Sequence, residues 1–255
     1  MSDEPVLTER RDGVLLITLN RPDARNAVNA ALAHGLGAAL DALDAEADVT
    51  VGVLTGAGKG FSAGMDLKAF VAGESPRVEG RGFAGIVQRS ARKPLIAAIE
   101  GFAVAGGLEI ALACDLVVAS REARLGIPEA KRSLVAAGGA LRRLPQRVPL
   151  GVALEMALTG DPITAERGYE LGLVNRVAEP GGAVDAALEL ARAIAGNGPL
   201  ALDATKAVLE RQFDWGEEEF WQRQGELSAP VFRSQDAREG AAAFSEKREP
   251  VWQGR

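Results

Sequence analysis

Gly101-Phe102-Ala103-Val104-Ala105-Gly106-Gly107-Leu108-Glu109-Ile110 follows closely on the apolar run Pro94-Leu95-Ile96-Ala97-Ala98-Ile99. The run is continuous rather than alternating, as strands covered on both faces tend to be. The segment after it reads as a turn of small residues that opens a helix. Such an opening leaves backbone N–H groups unsatisfied, and together with the helix macrodipole they favour developing negative charge. Strand, tight turn and helix in close succession set the reading of the whole chain as α/β.

Three further runs have the same character: residues 14–19, 51–55 and 116–119, each bounded by Gly, Pro, Asp or Asn. Between them, Leu32, Leu36, Leu40 and Leu43 recur at helical spacing and form one apolar stripe. Beyond about residue 150 the strand signals thin out, and residues 152–158, 184–195 and 201–213 look helical. Asn197-Gly198-Pro199 stops one helix and starts the next. Residues Asp236 to Glu239 fit a capping box that opens a last helix. The expected organisation is an α/β core over residues 1–198 and a helical extension over residues 199–255.

Composition narrows the function classes. The 255 residues are 47% hydrophobic and 25% charged, which is the balance of a soluble globular protein. A formal net charge of −6 argues against a nucleic-acid phosphate binder, which needs a dominant basic face. Thirty glycines against 5% aromatics suggest close backbone approaches rather than a base-stacking surface. Cys114 is the only cysteine, so no intrachain disulfide forms and a reducing cytoplasm is expected. Residues 1–5 lack the cationic head and apolar segment of a secretion signal. The longest apolar stretch, residues 110–120, is broken by Asp115 and falls short of the ~20 residues that span a bilayer.

The chemistry-bearing residues follow from what is scarce and what is grouped. His34 is the only histidine and sits in the first amphipathic helix, so a clustered metal site is not expected. Gly56-Ala57-Gly58-Lys59-Gly60 has neither the spacing nor the following Ser or Thr of a phosphate loop. Phe61-Ser62-Ala63-Gly64-Met65-Asp66-Leu67-Lys68 has small residues that admit a ligand close to the backbone, though an ordinary turn reads equally well. If it faced the turn at 104–107, the two would form an oxyanion hole from main-chain groups alone. Leu125-Gly126-Ile127-Pro128-Glu129 places a second carboxylate after a proline-fixed turn. Glu109 and Glu129 in one partly apolar pocket would suit proton transfers in opposite senses. Spacing alone also allows each to be a solvated helix end or loop residue.

These segments resemble the crotonase superfamily, the enoyl-CoA hydratase/isomerase family. The similarity also takes in Asn20-Arg21-Pro22 with Asn26-Ala27, the stretch up to Asp115, Leu158-Thr159-Gly160, residues 165–175 and the tail from Glu239-Gly240 to Arg255. The resemblance implies a superhelix of repeated ββα units, with C-terminal helices that build trimers, often paired into hexamers. It implies that Met65 and Gly106 supply the two oxyanion-hole amides and that Glu109 and Glu129 are the catalytic pair. Arg25, Ala27, Ala63, Asp66, Leu67 and Lys68 fall where the family holds the adenine and pantetheine of coenzyme A. Phe244 and Lys247 fall on a tail helix that in relatives approaches coenzyme A, sometimes across a subunit boundary.

Having both glutamates favours addition or removal of water across the C2–C3 bond of an acyl-CoA thioester. Coenzyme A is then part of the substrate, and no metal or redox cofactor is implied. Residues 62–69, 128–131 and 244–252 look most like the carnitinyl-CoA dehydratase and related enoyl-CoA hydratase branch. Two departures stand out. Ala105 replaces the first of the usual three glycines, and residues 133–141 lack the common proline and threonine near their glycine pair. Double-bond isomerisation on the same scaffold, or thioester binding without turnover, are the alternatives.

Overall fold

Residues 14–19, 51–56 and 95–99 are apolar at nearly every position because their sheet is covered on both sides. The computed structural model describes residues 4–255, so Met1 to Asp3 of the segment read for a leader lie outside the described residues. In chain order the strands are β1 Val6–Arg11, β2 Val14–Leu19, β3 Val51–Gly56, β4 Arg77–Val78, β5 Gly82–Phe83, β6 Leu95–Ile99, β7 Phe102–Val104, β8 Leu116–Ser120, β9 Arg124–Gly126, β10 Ile163–Thr164 and β11 Arg176–Ala178. The helices are α1 Ala30–Ala45, α2 Leu67–Val71, α3 Gly106–Leu112, α4 Ala140–Arg143, α5 Leu150–Thr159, α6 Ala165–Leu171, α7 Ala183–Ala195, α8 Pro199–Arg211, α9 Glu217–Phe232 and α10 Gln235–Glu246.

The large sheet runs β1-β2-β3-β6-β8-β11, parallel throughout except for the β1–β2 hairpin at its edge. Alternation along its strands divides the interior in two. Ile17, Leu54, Ala97 and Ile99 join the leucines of α1 in the main core, while Leu16, Val53, Ile96 and Ala98 pack against Ala187, Leu188 and Ala191 of α7. Gly52 interrupts β3 for a steric reason. A Cβ there would stand 2.6 Å from a Leu43 methyl, so glycine lets α1 lie close to the sheet.

A smaller sheet is made of β7 and β9 in parallel, with β10 antiparallel beyond β9. Ser62 extends it on the other side through a parallel bridge to Ala103. The repeat is then visible: β3 leads to Ser62 and α2, β6 to β7 and α3, and β8 to β9 and a 3-10 turn, Pro128–Arg132. Each unit sends its first strand into the large sheet and its second into the small one. The three chain exits from the small sheet therefore lie side by side, with Val104 N–H donating to Ser62 O at 3.1 Å and Ala105 N–H to Gly126 O at 2.9 Å.

The four strands and the helices read from the sequence are present, with ends shifted by one or two residues; the helix read over 201–213 is α8, which gives way to a 3-10 turn at Gln212–Asp214. Strands β1, β4, β5, β7, β9, β10 and β11 go beyond that reading. They are short or largely exposed, so they carry no continuous apolar run. The cap of the last helix needs correction. Ser234, not Asp236, is its N-cap, accepting from Ala237 N–H at 3.0 Å. The Asp236 carboxylate is buried and turned to the tail, where it accepts from the amides of Gln253 and Gly254. α8 docks on the core through Lys206, whose ammonium donates to the carbonyls of Ala91 and Lys93 and to Asp115.

Candidate active site

The first exit loop is held from below by polar side chains with no solvent exposure. Asn26 donates to the carbonyls of Ala57 and Gly60, and its own carbonyl accepts from the Ser62 hydroxyl at 2.8 Å. The Gly56–Gly60 segment is thus a packed turn. Ser62 Oγ in turn accepts from Gly64 N–H at 3.1 Å. Asp66 closes the loop by capping α2, accepting from Lys68 and Ala69 N–H and pairing with Arg21 at 2.9 Å. The amide of Ala69, then Arg21, holds its carboxyl below the usual range against the opposing effect of burial.

The second exit loop lies against the first. Gly64, at φ +88°, has no room for a side chain, because a Cβ would stand 2.7 Å from the Gly106 nitrogen. Gly106 is equally constrained, with the Phe83 ring 2.6 Å from where its Cβ would be. Ala105 just before it is held at φ +52° and ψ −131°, a backbone region costly for a residue with a Cβ. Ala105 is the first of the two departures noted in the sequence. The N–H groups of Met65 and Gly106 donate to no acceptor among the described residues.

Glu109 lies one turn into α3, almost wholly buried, and its Oε1 accepts from the amides of Gly138 at 2.7 Å and Ala140 at 3.2 Å. Burial pushes its pKa up, and those amides together with the Arg143 charge pull the other way. Glu129 sits on the Pro128–Arg132 turn with its Oε2 buried and without a hydrogen-bond partner. Burial raises its pKa as well, and the charge of Glu109 adds to the rise. Two carboxyls that both resist ionisation, and that interact, fit a pair sharing one proton.

Both carboxyls line a cavity of about 730 Å³, together with Arg25, Ala63, Met65, Leu67 and Gly106. Seven of the residues singled out from the sequence therefore meet in one place. Asp66, Ala27 and Lys68 do not line it. Asp66 is occupied in capping, the Ala27 carbonyl accepts from Arg21, and Lys68 is exposed on α2. Phe244 and Lys247 also lie outside this cavity, Phe244 exposed on α10 and Lys247 at its left-handed C-cap. Leu134, Val135 and Gly138, from the 133–141 stretch singled out in the sequence, are on the cavity wall, whereas Phe70, Phe83 and the amides that seat Glu109 were missed. The glycine pair 138–139 was the available signal: a Cβ at Gly138 would stand 2.3 Å from Glu109 Oε2. Among the described residues no cluster of His, Cys, Asp and Glu could hold a metal ion.

A family profile for enoyl-CoA hydratase/isomerase matches residues 9–255. The chain belongs to the enoyl-CoA hydratase/isomerase family. It is 42% identical over 261 residues to enoyl-CoA hydratase EchA19 of Mycobacterium tuberculosis, covering 100% of this chain and 98% of that one. It is 40% identical to a carnitinyl-CoA dehydratase of Salmonella arizonae, with both chains covered in full. The crystal structure of an enoyl-CoA hydratase from Mycobacterium tuberculosis H37Rv superposes with a TM-score of 0.97 at 55% identity, over 99% of this chain and 100% of that one. The α/β fold with repeated ββα units and C-terminal helices is that of the enoyl-CoA hydratase/isomerase family.

Proposed function

We propose that the protein is an acyl-CoA hydro-lyase, adding water to or removing it from the C2–C3 bond of an enoyl-CoA or 3-hydroxyacyl-CoA thioester. The observation that carries this reading is the pair of free amides, Met65 and Gly106, on abutting loops beside two carboxyls in one cavity. The thioester carbonyl sits between the amides, so the enolate oxygen is stabilised as its charge develops. A donor of this kind is typically worth about 3–4 kcal/mol. In hydration Glu109 takes a proton from water as the oxygen bonds to C3, and the C2–C3 π electrons move into the enolate. Glu129, protonated, then delivers a proton to C2. Its buried, partnerless oxygen supports the acid role, and the two amides on Glu109 support the ionised one. The reaction written this way uses no metal or redox group.

Loss of enoyl-thioester absorbance on incubation with crotonyl-CoA tests the activity. A β,γ-unsaturated thioester that is converted while crotonyl-CoA is untouched would move the reading to isomerisation. Ranking enoyl-CoA and hydroxyacyl-CoA thioesters, carnitinyl-CoA among them, by kcat/KM would identify the acyl group.

We also propose a trimer or a pair of trimers. Phe213, Trp221, Phe232 and Phe244 are all exposed on the C-terminal helices and the turn that links them, a density of aromatic surface that a monomer rarely shows to water. Among the described residues no helix is long and apolar enough to cross a membrane. Cys114 is buried with no second cysteine in the sequence to pair with, which is in keeping with a reducing cytoplasm. The family match points to small thioesters rather than nucleic acid as partners.

A further inference from the structure

α4 starts with an amide that seats Glu109 and ends, one turn later, with Arg143. The guanidinium of Arg143 is half-buried and donates from Nη2 to the Val87 carbonyl at 2.6 Å. Gly139, at φ +103°, leaves the space it occupies, since a Cβ there would stand 2.3 Å from Nη1. The side chain thus crosses the backbone of the residue next to Gly138, whose amide makes the shorter bond to Glu109. Val87 is itself bonded to Phe83, its N–H donating to the Phe83 carbonyl at 3.3 Å, and Phe83 packs on Gly106. One side chain therefore spans from the seat of Glu109 to the wall behind the Gly106 amide. Arg143 does not line the substrate cavity.

We propose that Arg143 is a positioning residue: laid over Gly139 and tied to Val87, it fixes the 138–140 turn that holds the Glu109 carboxylate in place for water. This rests on the reading of Glu109 as the group that acts on water. Charge works in the same direction as geometry. Arg143 faces Glu109 from α4 and favours its ionised form, and the Glu109 charge in turn raises Glu129 on the Pro128–Arg132 turn. Around Arg143 itself stand Arg142 and Arg147 from its own segment and Glu210 from α8. Removing the cation leaves the burial of Glu109 less opposed, so its carboxyl should titrate at higher pH.

Isotope-edited infrared titration of the Glu109 carboxyl, assigned by difference against Glu109→Gln, reads this directly in the full-length protein. In Arg143→Gln the midpoint should rise by roughly half a unit or more, and the acid limb of the kcat/KM profile should move with it. Arg143→Lys should keep the midpoint near wild type, yet lose kcat several-fold, because lysine cannot both rest on Gly139 and reach Val87. A Glu109 midpoint unmoved in folded Arg143→Gln overturns the proposal, and so does full kcat in Arg143→Lys. The lysine variant carries the test if the glutamine variant does not fold. Wild-type turnover in Glu109→Gln would overturn the water role instead, while the infrared midpoint still decides what Arg143 does to Glu109.

Discussion

Gly64 and Gly106 approach so closely that a Cβ on Gly64 would stand 2.7 Å from the Gly106 nitrogen and one on Gly106 would stand 3.3 Å from the Gly64 Cα. The free amides of Met65 and Gly106 flank this close contact of the two loops. Gly64→Ala must push the loops apart and adopt φ +88° with a Cβ. It should lower kcat by roughly 10–10³, because oxyanion donors act only when aimed at the developing charge, and steady-state kinetics on crotonyl-CoA would show it.

The contribution of the Gly106 donor can be separated from crowding. Gly106→Ala and Gly106→Pro both place a Cβ against the Phe83 ring, but only proline also removes the N–H. Gly106 opens α3, a position where proline is often accepted. Turnover by the proline variant should fall roughly 10²-fold or more below that of the alanine variant. Met65→Ala keeps its amide and should retain activity, with a changed acyl preference. Equal rates for the alanine and proline variants would place the carbonyl elsewhere.

Glu109→Gln and Glu129→Gln should each lower kcat by about 10² or more, within the usual range for acid–base transfer. The double variant should lose far less than the product of the two factors, because the pair acts as a unit. Stability should respond in the opposite sense. Glu129 titrates above the ordinary carboxylate value when folded, so between that value and the raised one the native state binds more protons than the unfolded state. Stability from this group therefore falls as pH rises through that window. Glu129→Gln should be more stable than wild type near neutral pH and lose the advantage toward pH ~4, as urea unfolding at the two pH values would reveal.

How far the sequence carried these conclusions depended on range. Strands buried on both faces, such as Val51–Gly56 and Leu95–Ile99, were legible because burial writes a continuous apolar run. Glu109 and Glu129 were legible as candidates, yet nothing local says that they share a cavity; that follows from adjacent exits of β7 and β9. The part Asp66 plays in the structure was not legible either. The resemblance put it among the residues near coenzyme A, while its carboxylate accepts from the amides of α2 and pairs with Arg21, which nothing in the local sequence announces. Phe83, on a two-residue strand, carried no pattern at all.

Ala105 records a cost that the sequence alone marked only as a departure. At φ +52° and ψ −131° a Cβ is disfavoured by roughly 1–3 kcal/mol. Ala105→Gly should recover part of that strain, offset by the greater freedom of glycine in the unfolded chain. The expected net effect is a small gain, up to about 1 kcal/mol, with kcat unchanged, since the Gly106 amide stays in place. A lower melting temperature in the glycine variant would show that the turn is not strained.

The tail is latched to α10 by groups that the capping reading had assigned elsewhere. Asp236 accepts from the amides of Gln253 and Gly254, Glu239 pairs with Arg248 at 2.6 Å and accepts from Val251 N–H, and Trp252 Nε1 donates to the Gly196 carbonyl. The first bonds bind the tail to α10, and the last binds it to the junction of α7 and α8. Trp252 also packs against Gly198 and Gly240, where larger residues would crowd its ring. Asp236→Ala removes the carboxylate that accepts from the Gln253 and Gly254 amides, and hydrogen bonds to a charged group are worth roughly 1.5–3 kcal/mol. Trp252→Ala removes both the ring packing and a hydrogen bond. Each should loosen α10, and with it Phe244 and Lys247, while the cavity that holds Glu109 and Glu129 keeps its shape. If α10 reaches the coenzyme A of a neighbouring subunit, KM should rise in both variants with kcat little changed. Unchanged KM in a variant whose tail amides exchange freely with deuterium would remove Phe244 and Lys247 from the substrate site.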